Sequence, residues 1–429
     1  MTDVAKATEV FLDKIDSQVA AHFEACVHCG QCSQACLFYQ ATEDPKFTPV
    51  YKLQPLEKVY RRHKAPFSGL KRMLGLAPPE LTASDLEDWA ELVYDACTLC
   101  GRCTVVCPMG IDIASMVRKV REGFSAAGLV PDGLTGAAQR AIEIGSPLGI
   151  KPATLEKIVA EQAEEVGIPI QLNKVGADYL VILSAMEVLN FYEVISALAR
   201  LFKKADVSWT ISTDAYEATN VGIQMGNLDV AKTLVGRIVE AAEKLQVKYV
   251  ISPECGHAYS ALKWEGPNLV GRDYNFKVIH ILELLDNLRR EGRITFQGKD
   301  DRRLTYHDPC QIVRRGGIVK EPRDLLGQVA SNFVEMEDHG IYNVCCGGGG
   351  GVSANARAED MRLRAFASKK AQIDKMGEVD ALVTSCANCR NVLEEGIEHY
   401  GMDLPVIGLS ELLADYLTPE ERGEPPEPA

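Results

Sequence analysis

Thirteen of the fourteen cysteines in this 429-residue chain fall into patterns that can bind metal. Two runs have the form C-x2-C-x2-C-x3-C: Cys26, Cys29, Cys32, Cys36, and then Cys97, Cys100, Cys103, Cys107, the second followed by Pro108. A third set is dispersed: Cys310, the adjacent pair Cys345 and Cys346, and the C-x2-C pair Cys386 and Cys389. Only Cys255 stands alone.

A tight x2-x2 loop delivers three thiolates from one segment, and the fourth cysteine, three residues on, points away. In two-cluster ferredoxins that fourth cysteine ligates the other cluster. The spacing predicts one [4Fe–4S] cluster on Cys26, Cys29, Cys32 and Cys107, and another on Cys97, Cys100, Cys103 and Cys36. Gly30 and Gly101, each after the second cysteine of its run, permit the tight loop. Zinc knuckles are the alternative, but zinc takes its ligands in pairs and has no use for a triple plus a displaced fourth. Leu37 follows Cys36 where such runs usually carry proline, which costs loop rigidity but no ligand.

The adjacent pair is followed by five glycines, Gly347 to Gly351. Such a run lets the backbone approach something bulky, and Gly347, Gly348 and Gly349 can offer N–H groups to sulfur or to an anion. A nucleotide loop is the bland reading, but no Gly-Lys-Ser/Thr follows and no strand and acidic partner frame the glycines.

The pieces HDPC (307–310), CCGGGGG (345–351) and SCANC (385–389) resemble the CCG domain of heterodisulfide reductase catalytic subunits. In that family C-x(31–39)-CC-x(35–36)-C-x2-C supplies five thiolates to a non-cubane [4Fe–4S] cluster. Here the gaps are thirty-four and thirty-nine residues, the second a little long. The family normally carries two such motifs. In this chain Ser184-Ala185-Met186 and Ala218-Thr219-Asn220 stand where the first copy's thiols would be, and Cys255 remains in PECGH. The combination covers nearly the whole chain and is similar to the fused D-type subunits, especially the DsrK/TmcB-like branch of sulfur-metabolism redox complexes. YEATNVG (216–222) and ECGHAY (254–259) also resemble that branch.

The resemblance implies that Cys310, Cys345, Cys346, Cys386 and Cys389 hold a cluster that reduces or oxidises a disulfide or persulfide, one electron at a time. A cubane or a zinc on four of the five is the alternative. His307 either donates a proton to a leaving thiolate or orients the strand end. Cys255 is either a small buried thiol or a substrate-facing or resolving thiol beside His257. Arg314 and Arg315 either neutralise an anionic substrate or are solvated, and the solvated reading is the simpler. Two other functions fit the module order: the iron–sulfur subunit of a glycolate, lactate or glycerol-3-phosphate oxidase, and a pure electron-transfer module with a structural CCG site. No flavin, nicotinamide or haem motif is present, so a flavoprotein or membrane cytochrome subunit is the expected redox partner.

These cysteines need elements to hold them. Residues 1–25 read as one amphipathic helix with Val10, Phe11, Ile15, Val19 and Phe23 at helical spacing. Helices are predicted at 112–127, 133–145 and 152–166, with Pro131, Pro147 and Pro152 at the boundaries. From about Gly176 strand-like runs alternate with helices: 179–184, 207–212, 248–252, 303–306, 332–336 and 381–385. That alternation predicts α/β domains with a largely parallel sheet. FKVIHILELLDNL (276–288) matches LPVIGLSELLADYL (404–417) in pattern, each after a strand and a cysteine-bearing turn, so two α/β copies are predicted. The expected division is a helical two-cluster domain with linker (1–175), a degenerate α/β CCG unit (176–298), an intact one (299–418) and a disordered tail (419–429).

Length and composition agree with several cores, since 46% of residues are hydrophobic and 25% charged. A net charge of −14 argues against nucleic acid and against an anionic membrane surface, because both reward basic patches. The first residues lack a signal-peptide pattern and no transmembrane run is evident. The expected location is therefore cytoplasmic, possibly at the membrane through a partner complex, where clustered thiols mean metal more often than disulfides.

Overall fold

The computed structural model describes residues 2–417, so the tail expected at 419–429 lies outside the described residues. The chain forms two compact units that do not follow chain order. One comprises residues up to Gly136, Val221–Val230 and Val344–Ala371; the other comprises Ala137–Asn220, Ala231–Asn343 and the chain from Gln372 on. Compactness thus divides the chain differently from its motifs.

The first unit is helical. Its opening segment is two helices, Val4–Lys14 and Ser17–Ala25, where a single helix is the expectation from periodicity. The break has a local cause: Asp16 is extended and its carboxylate accepts from the Val19 N–H at 2.8 Å, starting a new helix instead of continuing the old one. The apolar stripe survives the break, and Phe11, Ile15, Val19 and Phe23 are all buried. Phe11 lies against Gly123 of the helix Ile113–Ala126 so closely that a Cβ there would sit 2.1 Å from its ring. Of the other predicted helices, Asp132–Ile144 begins in this unit's stretch of chain and Pro152–Val166 belongs to the second unit.

The second unit carries two four-stranded parallel sheets. The first contains β1 (Tyr179–Val181), β2 (Trp209–Ile211), β3 (Tyr249–Ser252) and β4 (Lys277–His280), in the order β2-β1-β3-β4. The second contains β5 (Asp300–His307), β6 (Ala330–Phe333), β7 (Ala381–Thr384) and β8 (Val406–Gly408), in the order β6-β5-β7-β8. Every pairing is parallel. β7 is buried at all four positions, β1 and β3 at all but their first and β5 over its last four, which is why these stretches read as apolar runs without alternation. β4 and β8 are not among the predicted strands. Each is a three- or four-residue edge strand running directly into a helix, Ile281–Arg290 or Leu409–Asp415, so the helical period masks it. No helix among the described residues is long and apolar enough to cross a membrane.

Candidate cluster sites

The two cysteine runs lie in the first unit and share one backbone device. His28 and Gly30 have φ of 51° and 78°; Leu99 and Gly101, at the same places in the other run, have 55° and 76°. A leucine in the left-handed region costs about 1–2 kcal/mol. Strain of that kind is kept where a site requires the turn.

Each loop helps to line a cavity. One is lined by Cys26, Cys29, Cys32 and Cys107 among apolar side chains that include Phe23, Leu53 and Met116. The other is lined by Cys36, Cys97, Cys100 and Cys103 together with Lys52 and Phe38. Burial pushes the Cys32 thiol up, and the Cys107 and Cys26 thiolates push it further. Burial does the same to Cys103, more strongly, with Cys100, Cys97 and Cys36 adding to it. Within each group the thiols are therefore close enough to repel one another when ionised.

The second cavity tests what these residues can hold. Lys52 is 2% exposed. Its ammonium donates to the Ala96 carbonyl and to Cys36 Sγ at 3.8 Å and lies 5.5 Å from the Phe38 ring centre. No carboxylate pairs with it among the described residues. A buried cation without a counter-ion is costly, and an anionic tetrathiolate iron–sulfur group fits that environment.

Arg121, fully buried in the helix Ile113–Ala126, joins this cavity to the glycine loop. Its guanidinium donates to four carbonyls: Val93 at 2.9 Å, Cys97 at 2.6 Å, Gln224 at 2.6 Å and Gly350 at 2.5 Å. Cys345 and Cys346 belong to the same unit and are buried. The Cys345 thiol donates to Thr98 Oγ1 at 3.4 Å, and the Gly347 N–H donates to Cys345 Sγ at 3.4 Å. The glycines serve close packing as well. A Cβ on Gly350, at φ +61°, would lie 2.8 Å from the Thr98 carbonyl carbon. The carbonyls of Gly348 and Gly349 accept from the N–H groups of Ser353 and Val352.

Cys310, Cys386, Cys389 and His307 belong to the second unit, all buried and all at carboxyl ends of parallel strands, the usual position for a site on such a sheet. His307 ends β5 and Cys310 follows it; Cys386 follows β7 and caps the helix Ala387–His399, whose first turn carries Cys389. The Cys389 thiol, with the N–H groups of Cys389 and Gly256, donates to Cys386 Sγ and holds its thiol below the usual range despite burial. A helix N-terminus acts in the same direction. Asp308 is locked by a two-pronged ion pair with Arg323 and by the Gly340 N–H at 2.7 Å. Arg314 is not simply solvated: it donates to the carbonyls of Ile341 and Asn343, each at 2.6 Å, and so fastens that loop.

Cys255 caps the helix Gly256–Ser260 and accepts from the Ala258 N–H at 3.5 Å. Burial raises its thiol well above the usual range, and the charges of Cys386, Glu187 and Glu217 add to this. Those carboxyl groups are missing from the sequence-based candidates. Glu187 accepts from Ser184 N–H at 2.6 Å and Glu254 N–H at 2.9 Å; Glu254 accepts from Ser410 N–H at 3.2 Å. Burial raises Glu187 and Glu254 and pushes Glu217 up to about 7. Lys52 and Arg121 are missing too. Arg121 had a signal, because it continues the apolar face of Val117, Val120 and Phe124 where a solvated residue would not sit.

The chain matches a 4Fe-4S dicluster domain over residues 22–111 and a cysteine-rich domain over residues 304–394. It is 28% identical to an Hdr-like menaquinol oxidoreductase iron-sulfur subunit 2 from Archaeoglobus fulgidus, over 98% of this chain and 85% of that protein. It is 27% identical to the D-type component of the dihydromethanophenazine:CoB–CoM heterodisulfide reductase of Methanosarcina acetivorans, over 97% of both. An EtfAB:quinone oxidoreductase from Syntrophomonas wolfei is 27% identical over 87% of this chain and 55% of its own length. With [4Fe–4S] sites on its dicluster segment and a cysteine-rich cluster site after them, the chain is a heterodisulfide reductase D-like, CCG-domain iron–sulfur protein, a redox subunit.

Proposed function

We propose that this chain is the subunit of a heterodisulfide reductase-like complex in which a sulfur–sulfur bond is made or broken. Cys26, Cys29, Cys32 and Cys107 would hold one [4Fe–4S] cluster, and Cys97, Cys100, Cys103 and Cys36 a second. Cys310, Cys345, Cys346, Cys386 and Cys389 would hold a third, non-cubane cluster. When bound, these groups supply one-electron transfer and, at the five-thiolate site, one-electron steps at a disulfide or persulfide.

The observation that carries this reading is the hydrogen bond from Cys345 to Thr98 at 3.4 Å. It sets a thiol of the dispersed set one residue from Cys97, within the unit that also contains both cysteine-lined cavities. The protein's own groups have distinct tasks. Lys52 and Arg121 keep positive charge in dry surroundings beside the second cavity. Three donors draw the Cys386 thiol below its usual range. His307 is the proposed proton donor to a leaving thiolate, and Gly347 to Gly349 line the cluster.

The relatives' names support a partner that exchanges electrons with a quinol or a phenazine, through a flavoprotein or a membrane cytochrome subunit, on the cytoplasmic face. YEATNVG and ECGHAY support the DsrK/TmcB-like branch. The matched order of the two sheets supports a duplicated α/β unit with a degenerate first copy over 176–298, an intact copy over 299–418 and the dicluster segment over 1–175.

Iron analysis tests the ligand sets. About twelve iron atoms per reconstituted chain are expected, whereas about eight leaves the cysteine-rich site without a cluster of its own. The oxidised protein incubated with CoM, a thiol named in the Methanosarcina relative, is expected to give a new paramagnetic species. A silent spectrum removes the sulfur chemistry and leaves an electron-transfer module.

A further inference from the structure

Residues 58–79, KVYRRHKAPFSGLKRMLGLAPP, hold six Lys and Arg and no Asp or Glu, in a chain whose net charge is −14. Within this stretch lies the densest group of exposed large apolar side chains: Phe67 is 77% exposed, Leu70 51%, Met73 76%, Leu74 58% and Leu76 71%. They project from the short helix Ser68–Met73 and the turns on either side. The segment is held at its root. Ala65 and Ser68 are buried, and the Ser68 hydroxyl donates to the His63 carbonyl at 3.1 Å. Phe67 adopts a left-handed φ of 59°, rare for a bulky residue, and points its ring into solvent.

The charges are sorted as well. Lys58, Arg61 and Arg62 are paired with Asp85, Glu24 and Glu80. Lys64 donates only to the carbonyls of Leu12 and Ile15, and Lys71 and Arg72 make no ion pair among the described residues. Three cations without counter-ions thus accompany five exposed apolar side chains.

We infer that residues 64–76 insert into the headgroup boundary of an anionic lipid bilayer. The apolar side chains would enter the acyl edge while Lys71 and Arg72 reach lipid phosphates, as interfacial anchors do. The absence of any carboxylate favours lipid over a protein partner, since a bilayer offers negative charge and hydrocarbon but nothing to pair with an acid. The overall acidity that argues against an anionic membrane does not extend to this stretch, which carries no acid. It repels the rest of the surface from the same membrane and so fixes which face approaches. The inference rests on exposure and charge, not on the sulfur chemistry proposed above.

The test is flotation of the full-length, cluster-loaded protein with vesicles of phosphatidylcholine alone and of phosphatidylcholine mixed with phosphatidylglycerol. The wild type is expected to float with the mixed vesicles, less at high salt, and scarcely with the neutral ones. Phe67→Ser, Leu74→Ser and Leu76→Ser together are expected to reduce binding about tenfold or more with iron content unchanged. Lys71→Glu with Arg72→Glu is expected to abolish the preference for anionic lipid. If the wild type fails to float with anionic vesicles, or the triple variant floats equally well, the lipid assignment is wrong. Failure to float together with stoichiometric binding to a purified partner subunit assigns the patch to protein instead.

Discussion

Cysteines in the two units of this protein sit among opposite charges. In the first unit buried cations adjoin the cysteines, Lys52 and Arg121 by the second run and Arg362 near Cys346, while the buried acid beside the second run, Asp95, is paired with Arg357. In the second unit Cys255 and Cys386 feel buried acids: Glu187 adds to the rise of Cys255 and opposes the lowering of Cys386, and Glu254 and Glu411 are buried or nearly so. A cation beside a thiolate-held group stabilises added negative charge, so the first environment favours holding electrons. Burial among other acids raises carboxyl groups above their ordinary range, so the second favours taking up protons. Reducing a sulfur–sulfur bond to thiols consumes both.

The largest test of that contrast is Arg121→Gln. It leaves several of four buried carbonyls without a donor, and we expect a loss of about 3–5 kcal/mol from the first unit, read by denaturant unfolding and by iron retention. Retention of wild-type stability means the cation is decorative.

Next in size is the pH response of Glu217. Its folded value of about 7 lies above its ordinary 4.5, so its contribution to stability is present below about 4.5 and lost as the pH rises to about 7. Glu217→Gln is expected to remove about 2–3 kcal/mol of the difference in unfolding free energy between pH 5 and pH 8. An unaltered pH profile shows that Glu217 is ionised like any surface acid.

The smallest effect concerns Lys52. Replacement by Gln is expected to shift the reduction equilibrium of the Cys36, Cys97, Cys100 and Cys103 site about tenfold toward the oxidised form, about 59 mV for one electron. Lys52→Arg is expected to restore it. Potentiometric titration followed by paramagnetic resonance reads the shift, and equal potentials in all three proteins break the contrast.

Much of this could be read in the chain itself, and the reasons differ by feature. Cysteine spacing is dictated by the group to be wrapped, so the two loops were legible down to Gly30 and Gly101. His28 and Leu99 were not, because neither residue type advertises a left-handed backbone. The Asp16 break was legible in principle, as an aspartate three residues before Val19, but the uninterrupted apolar stripe hid it. Strands β4 and β8 were lost because three or four residues are too few to establish a period before a helix begins. The buried charges around the cysteines were the least accessible. Glu187 lies in a Ser184-x-x-Glu187 capping pattern that reads as an ordinary helix start. Nothing local shows that the same carboxylate also receives the Glu254 N–H.

The first unit draws on stretches of chain ending at Gly136, Val230 and Ala371, and one hydrogen bond within it, Arg121 to Gly350, closes a separation of 229 positions. During synthesis both cysteine runs leave the ribosome long before their covering segments exist. At usual elongation rates the delay from Cys107 to Ala371 is roughly ten to fifty seconds. For the first part of that interval Arg121 lacks its Gln224 acceptor, and for most of it Arg121 lacks Gly350 and Cys97 lacks the glycine loop beside it. Until Val344–Ala371 has been made the first unit is incomplete, so its cysteine loops are closed over late, by a segment far from them in the chain.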